Sequence, residues 1–560
     1  MFLEANPSKL KKSSSTWMPI CRRVSIKKSP ARSTRQKVLN CNGFSGTIST
    51  MDNDNKRKMN RILLIFSHRI SRKGYKENLV PPLGIAYIAA VMEKEHYQVK
   101  ILDLAAEDFD HSEDFGNGFI IIGLSYPRTR KLIADYAPDI VGVSCLFSTQ
   151  FKAMTNLCQM VKEIDPAIIT VVGGEHPSAL PRQSLQNPYV DYVGIGEGEY
   201  VFRDLVDALN RGADVSGLDG LGYKKDGNIF VNPKTQFIDN LDEIPMPARH
   251  LLPMHTYFKV NLPQGATSLR TPNTSLLTSR GCKAKCVFCA STHFWGPRYR
   301  ERSPENVLAE IELLVKEYGV KEISFLDDNL TYNKKRAMAI FQGMIDRRLD
   351  LVWSTPQGTA VYSMDEELLD KMKESGCYEV TFAVESGDQE VLKKIIKKPL
   401  NLDRIKGLVK HAKKAGMLVK GYFVLGLPGE TKELMKKSIR FARKMGFNSA
   451  GIFIATPLPG TELYQICQEK GYLVPGFDFE TINFGIGNIQ TPDFTPKDVE
   501  TIVSRGTLSV NLSLIYKNPF KFIKKYGLMF VTSPKGTLQY VWLLIKKSLA
   551  PRSAGNLTVM

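Results

Sequence analysis

At 560 residues the chain is too long for one ordinary core and suggests two or three domains, with the 43% hydrophobic and 24% charged fractions of a soluble globular protein. No run of about 18 apolar residues occurs, so no transmembrane helix is expected. The net charge of +19 sits in two arms: residues 1–58 hold 13 Lys and Arg against 3 acids, and residues 501–560 hold 9 against none, while residues 59–500 carry 54 of each sign. A neutral core argues against nucleic-acid binding, which needs a basic stripe on the folded surface.

Residues 1–58 are rich in Ser, Lys and Arg and lack a hydrophobic period or the apolar stretch of a secretory signal. They share the acid-poor composition of a transit peptide without its amphipathic pattern. The expectation is a disordered basic tail, or a true start at Met51 or Met59. From Arg61 a βα alternation begins. Apolar runs suited to buried parallel strands are Ile62–Phe66, Val99–Leu104, Ile140–Cys145, Ile168–Val172 and Tyr192–Ile195, with helix-period stretches such as Leu83–Lys94 and Gln150–Ile164 between them. Five such strands predict a doubly wound sheet over 59–215, with its ligand at the carboxyl ends, where Gly173-Gly174 and Gly196-Glu197-Gly198-Glu199 fall.

Residues 216–265 read as a hairpin, Leu221–Pro233 around Lys225-Asp226-Gly227, followed by a proline-punctuated linker at 241–247. A second βα series fills 266–490. Its strand candidates are Ser275–Ser279, Glu322–Leu326, Val352–Thr355, Glu379–Val384, Val419–Leu425 and Gly451–Ala455. Helical stretches such as Pro304–Tyr318, Lys334–Arg347, Asp365–Glu374 and Leu402–Ala415 separate them, as in a partial (β/α)6 barrel. Residues 491–560 are expected to be a basic helical C-terminal extension.

Nine cysteines, an odd number, do not resemble a secreted disulfide framework and fit a reducing cytoplasm. Three of them, Cys282, Cys286 and Cys289, stand at C-x₃-C-x₂-C spacing just after the first strand of the second series. That spacing lets three thiolates converge on one cuboidal 4Fe–4S cluster and leaves one iron open. Structural zinc is the competing reading, because zinc takes four ligands and His293 completes a C-x₃-C-x₂-C-x₃-H set. Ligand count and context favour the cluster, with His293 then a substrate-side or loop residue.

The cysteine loop, with Phe288 before its last cysteine, resembles that of the radical S-adenosylmethionine superfamily, and the resemblance extends over about 270–475. It implies that Asp327 and Asp328 sit at the site for the methionine amine and that Glu385-Ser386 sits at the ribose. Gly426, in the turn closed by Glu430, would let backbone approach the cosubstrate, and Pro457 would lie beside the adenine. Residues 61–210 resemble the cobalamin-binding domain found upstream of this barrel in one subgroup, through Pro81–Gly84, Pro138–Gly142, Gly173, Gly174 and Glu197. D-x-H-x-x-G is missing, which implies cobalamin held without a histidine ligand; His176 reads as a turn residue with satisfied hydrogen bonds.

The fold class implied is α/β: a Rossmann-like (flavodoxin-like) domain, a partial barrel and a helical extension. The resemblance implies an enzyme that reductively cleaves S-adenosylmethionine to a 5′-deoxyadenosyl radical and attacks an unactivated carbon of a small or lipophilic substrate. Cobalamin-dependent C-methylation is the first reading; radical cyclisation or rearrangement, or a non-catalytic cobalamin- or metal-binding protein, are the alternatives. The expected partners are a flavodoxin- or ferredoxin-like electron donor and no nucleic acid. Residues 501–560, basic and studded with aromatics, read equally as an interfacial helix on an anionic membrane or as a helical cap.

Overall fold

The structure is a computed structural model that describes residues 59–73, 78–116, 118–262 and 268–517. The basic arm 1–58 and residues 518–560 lie outside that set. The N-terminal half contains ten strands: β1 (Arg61–Phe66), β2 (Arg69–Arg72), β3 (Gln98–Asp103), β4 (Ser112–Gly116), β5 (Phe119–Ile122), β6 (Ile140–Ser144), β7 (Ile169–Gly173), β8 (Tyr192–Gly194), β9 (Leu221–Lys225) and β10 (Asn228–Val231). Seven form one sheet in the order β10-β9-β8-β7-β6-β1-β3, parallel from β8 to β3. The continuous apolar run of β1 follows from burial on both faces. Ile62, Leu64 and Phe66 enter one core with the helices Leu83–Lys94 and Gly198–Arg211, while Leu63 and Ile65 enter the other with Phe151–Ile164.

The hairpin forms where Asp226 and Gly227 both take positive φ. It pairs antiparallel onto β8, Tyr192 opposite Tyr223, so the expected five strands become seven. A small antiparallel sheet, β2-β5-β4, has no counterpart in the sequence reading, because β4 (Ser-Glu-Asp-Phe-Gly) is polar and short.

The second half holds β11 (Asn273–Leu276), β12 (Ser279–Arg280), β13 (Arg300–Glu301), β14 (Glu322–Phe325), β15 (Val352–Ser354), β16 (Cys377–Glu385), β17 (Leu418–Leu425) and β18 (Ser449–Ile454). Six of these make a parallel sheet, β11-β14-β15-β16-β17-β18, over one core around Phe325, Trp353, Phe382 and Phe423. The helix Pro304–Tyr318 starts where Ser303 Oγ accepts the Asn306 N–H and stops at left-handed Gly319; Thr431 and Gly446 do the same for Lys432–Met445.

The strand expected over Ser275–Ser279 is broken. Thr278 donates its backbone N–H and hydroxyl to Asp327, which turns the chain out of the sheet, and β12 pairs instead with β13. The helix Pro496–Lys517 lies against Lys432–Met445 and β18 with Val499, Val503 and Val510 buried, so the first part of the C-terminal extension belongs to the body.

Candidate active site

The cysteine loop leaves β12 through Gly281, whose φ of +83° and 2.7 Å clearance between a would-be Cβ and the Arg298 carbonyl admit only glycine. Val287 N–H donates to the Ile396 carbonyl (3.1 Å), and its own carbonyl accepts from Leu463 N–H (2.8 Å), so the loop is sewn to two later segments. Cys282 lies near enough to Cys286 and Cys289 for its charge to push both thiols up, and Cys286 does the same to Cys289. Burial is the largest cause, pushing Cys286 to about 11 and Cys289 higher still, with Asp328 adding to Cys289. Three crowded thiolates need compensating positive charge, which iron supplies on binding; the donor set therefore fits the cluster. Among the described residues no three His, Cys, Asp or Glu side chains gather about a single ion. A cuboidal cluster needs no such point, since each cysteine meets a different iron. His293 turns to the Ser178 carbonyl (3.4 Å) and packs against Gly460.

Cys289, Asp328 and Glu175 are reached by solvent yet walled by protein on most sides, as groups in a concave cleft are. Glu175 lies in that cleft from the N-terminal half; burial and Asp328 push its carboxyl to about 7. Asp328 accepts from Ser291 Oγ at 2.6 Å. Its neighbour Asp327 is consumed by Thr278 and Ser279 and braces the β11–β12 corner. Glu385 sits at a bulge of β16 with φ +68°, strained for a glutamate, and pairs at 2.9 Å with the buried Lys398. The Lys398 charge acts on both Cys286 and Cys282. Phe288 is half-buried against the core of this half.

Ser386, Gly426, Glu430 and Pro457 are all buried. Ser386 is fully buried, with its hydroxyl 3.1 Å from that of Ser438. Gly426 has φ +91°, and a Cβ there would come within 2.8 Å of Val499, so glycine is required by the C-terminal helix. Glu430, also fully buried, accepts the Gly426 and Leu427 N–H groups at 2.8 and 2.9 Å and holds that turn. Pro457 is buried at the end of β18. In the N-terminal half, Gly173 ends β7, and Gly174 (φ +110°) passes so close to Cys145 that a Cβ would lie 2.6 Å from its carbonyl oxygen. Both glycines stand at the carboxyl end of β7. Glu197 leaves the cleft: both its oxygens are held by Arg280, Arg300 and Ile238 N–H.

His176 is buried with Nδ1 at 3.0 Å from Ser148 Oγ, but its Nε2 has no hydrogen-bond partner among the described residues, so its hydrogen bonding there is only half satisfied. Sequence reasoning missed Lys398, Tyr362 (3.9 Å from Cys282 Sγ), Arg280, Arg300 and Glu175. Tyr362 also lines an open cavity of about 590 Å³ with Tyr299, Glu301, Tyr332, Asn333 and Lys334.

The B12 binding domain family matches residues 76–206, and the radical SAM superfamily matches residues 276–442. Cytidylyl-2-hydroxyethylphosphonate methyltransferase of Streptomyces wedmorensis is 37% identical over 78% of this chain and 87% of its own length. This chain belongs to the cobalamin-binding radical S-adenosylmethionine enzymes. An uncharacterized methyltransferase of Pyrococcus horikoshii is 38% identical over 69% of this chain and 78% of its own. Among solved structures, the radical S-adenosylmethionine methyltransferase TsrM of Kitasatospora setae, with cobalamin and a [4Fe-4S] cluster bound, aligns with a TM-score of 0.59 at 19% identity over 79% of this chain and 84% of its own. The chain is a radical S-adenosylmethionine enzyme of the C-methylating kind, and its cofactors are the 4Fe–4S cluster, S-adenosylmethionine and cobalamin.

Proposed function

We propose that Cys282, Cys286 and Cys289 hold the cluster, and that the cleft between the Gly173-Gly174 turn and the cysteine loop is where the methyl group passes to substrate carbon. The observation that carries this reading is the convergence of the three thiols beside a cleft to which Glu175 contributes from the N-terminal half and Asp328 from the C-terminal half. We read the N-terminal sheet as flavodoxin-like and the C-terminal one as a partial (β/α)6 barrel, with domain limits near those drawn from the sequence.

The cofactors together supply a primary-carbon radical for hydrogen abstraction and a methyl donor on cobalt. The residues do the rest. Asp328 receives the methionine amine, and Asp327 holds the corner that aims it. Glu385 orients Lys398 toward the thiols, and Glu430 fixes the Gly426 turn. Gly173 and Gly174 would let backbone approach a bound corrin, and His176 is held in the protein by its packing on Phe151.

Substrates in this reading are small or lipid-like. Cytidylyl-2-hydroxyethylphosphonate, named in the Streptomyces relative, is the first compound to offer. A flavodoxin- or ferredoxin-like donor approaches from the cavity beside Tyr362, and the protein works in the cytoplasm. The test is anaerobic reconstitution followed by iron, sulfide and corrinoid analysis and a 5′-deoxyadenosine assay. The proposal expects Cys282→Ala, Cys286→Ala and Cys289→Ala each to abolish cleavage, and Cys145→Ala and Cys467→Ala to spare it. Reconstituted protein holding zinc and no sulfide would overturn it.

A further inference from the structure

The Gly196-Glu197-Gly198-Glu199 turn carries two buried carboxylates that no cofactor role uses. Glu197 Oε1 accepts from Arg280 Nη1 (2.8 Å) and from Arg300 Nη1 (2.7 Å); Glu197 Oε2 accepts from Arg300 Nη1 (2.8 Å) and Ile238 N–H (2.8 Å). Glu199 Oε1 accepts from Arg280 Nη2 at 2.6 Å. All four charged side chains are at most 5% exposed. Two carboxylates and two guanidiniums balance, and aromatic faces complete the cage: Arg280 lies between Tyr87 (5.4 Å) and Trp295 (5.0 Å), and Arg300 lies over Phe237 (5.4 Å).

The placement in the chain is what gives this cluster a function. Arg280 is two residues before Cys282, and Arg300 pairs with it across β12–β13. Arg300 Nη2 also donates to the Trp295 carbonyl (2.7 Å), at the end of the short helix that follows Cys289. The cysteine loop is therefore bracketed on both sides by groups clamped to one turn of the opposite half. That turn follows β8 directly and starts the helix Gly198–Arg211, so it moves only with the N-terminal sheet.

We infer that Glu197 and Glu199 are positioning residues that fix the distance between the cobalamin-binding half and the iron–sulfur loop. The inference rests on the cofactor assignment above. Removing one partner of a buried ion pair leaves the other charge uncompensated, so these residues matter for fold as well as spacing. A control must separate the two. Arg249 is an equally buried partner of Glu310, which Arg302 also holds, and Arg249 makes no contact with the Glu197–Glu199–Arg280–Arg300 cluster.

The experiment uses holoprotein variants Glu199→Gln and Arg280→Lys, with Arg249→Gln as control, each assayed for iron and corrinoid content. Microwave power saturation of the cob(II)alamin signal is then measured with the cluster reduced and oxidised, since relaxation by the reduced cluster reports their separation. The inference expects Glu199→Gln and Arg280→Lys to keep both cofactors while the half-saturation power of cob(II)alamin falls severalfold. Arg249→Gln should match the parent protein. Parent-like saturation in both test variants overturns the inference. So does loss of iron or corrinoid from both but not from the control, because retention and not spacing would then be what the turn secures. A parent protein that binds no corrinoid defeats the cofactor assignment itself, a separate result read from the first assay.

Discussion

Glu430 shows how one buried carboxyl ties the site to pH. It is fully buried, and burial pushes it up to about 7 from an ordinary 4.5, against the Gly426 and Leu427 N–H groups that pull it down. Below pH 4.5 both folded and unfolded chains hold this proton. Between 4.5 and about 7 only the folded chain holds it, so stability falls as pH rises through that window and levels off beyond. At about 1.4 kcal/mol per pKa unit the loss is on the order of 3 kcal/mol. Glu430→Gln keeps an acceptor for the two N–H groups and has no proton to lose. Its melting temperature relative to the parent should therefore rise between pH 5 and pH 8, as thermal unfolding at both values measures; an unchanged difference contradicts the assignment. Cys158 and Cys377 are buried thiols with strongly raised pKa values, hence inert small hydrophobes, and their replacement by Ala should leave iron content at the parent level.

At the scale of elements, what the sequence showed and what it hid divide along physical lines. Strands β1, β6 and β7 were legible because strands covered on both faces need nearly unbroken apolar runs, and the hairpin because Asp-Gly fits its turn. The break after β11 was hidden, since it depends on hydroxyl groups finding Asp327 across 49 positions of chain. The cysteines announced themselves by spacing alone. Lys398 did not: it is one of four lysines within 393–398, and only the fold selects which of them is buried beside the thiols. The same holds for Glu197, whose partners lie 83 and 103 positions away. The turn after β7 makes a prediction at this scale. Gly174→Ala would set a Cβ 2.6 Å from the Cys145 carbonyl in a left-handed conformation, so we expect a loss of about 1–3 kcal/mol in stability and weakened corrinoid binding. Gly84→Ala, with open space around its Cβ position, is the control. Corrinoid retained by the parent should show no histidine-ligated cobalt in its spectrum.

At the scale of the whole molecule, the helix Pro496–Lys517 joins the start of the basic C-terminal arm to the body. None of the described helices is long and apolar enough to cross a membrane. Within 501–560, the residues up to 517 continue the helix Pro496–Lys517. Val503 and Val510 are buried, and a Cβ on Gly506 would meet Ile439 at 2.3 Å, a measure of how tightly this helix sits on Lys432–Met445. Val499 closes the same contact over Gly426, so the helix supports the turn held by Glu430. A chain cut at 500 would strip this cover, exposing Ile439 and part of the core, at a cost of roughly 1.5–3 kcal/mol for each large apolar side chain uncovered. A chain cut at 517 keeps the whole helix and leaves out Lys521, Lys524, Lys525, Lys535, Lys546, Lys547 and Arg552, which hold most of the basic charge of this arm. The two truncations therefore separate cap from membrane anchor. The 1–500 protein should melt several degrees lower than the full chain, and the 1–517 protein should melt with it. If the arm docks on anionic membranes, each lost basic residue removes on the order of 1 kcal/mol of attraction. The 1–517 protein should then fail to pellet with anionic liposomes that carry down the full chain, and added salt should release the full chain too. Equal pelleting of the two would assign the arm no part in membrane contact.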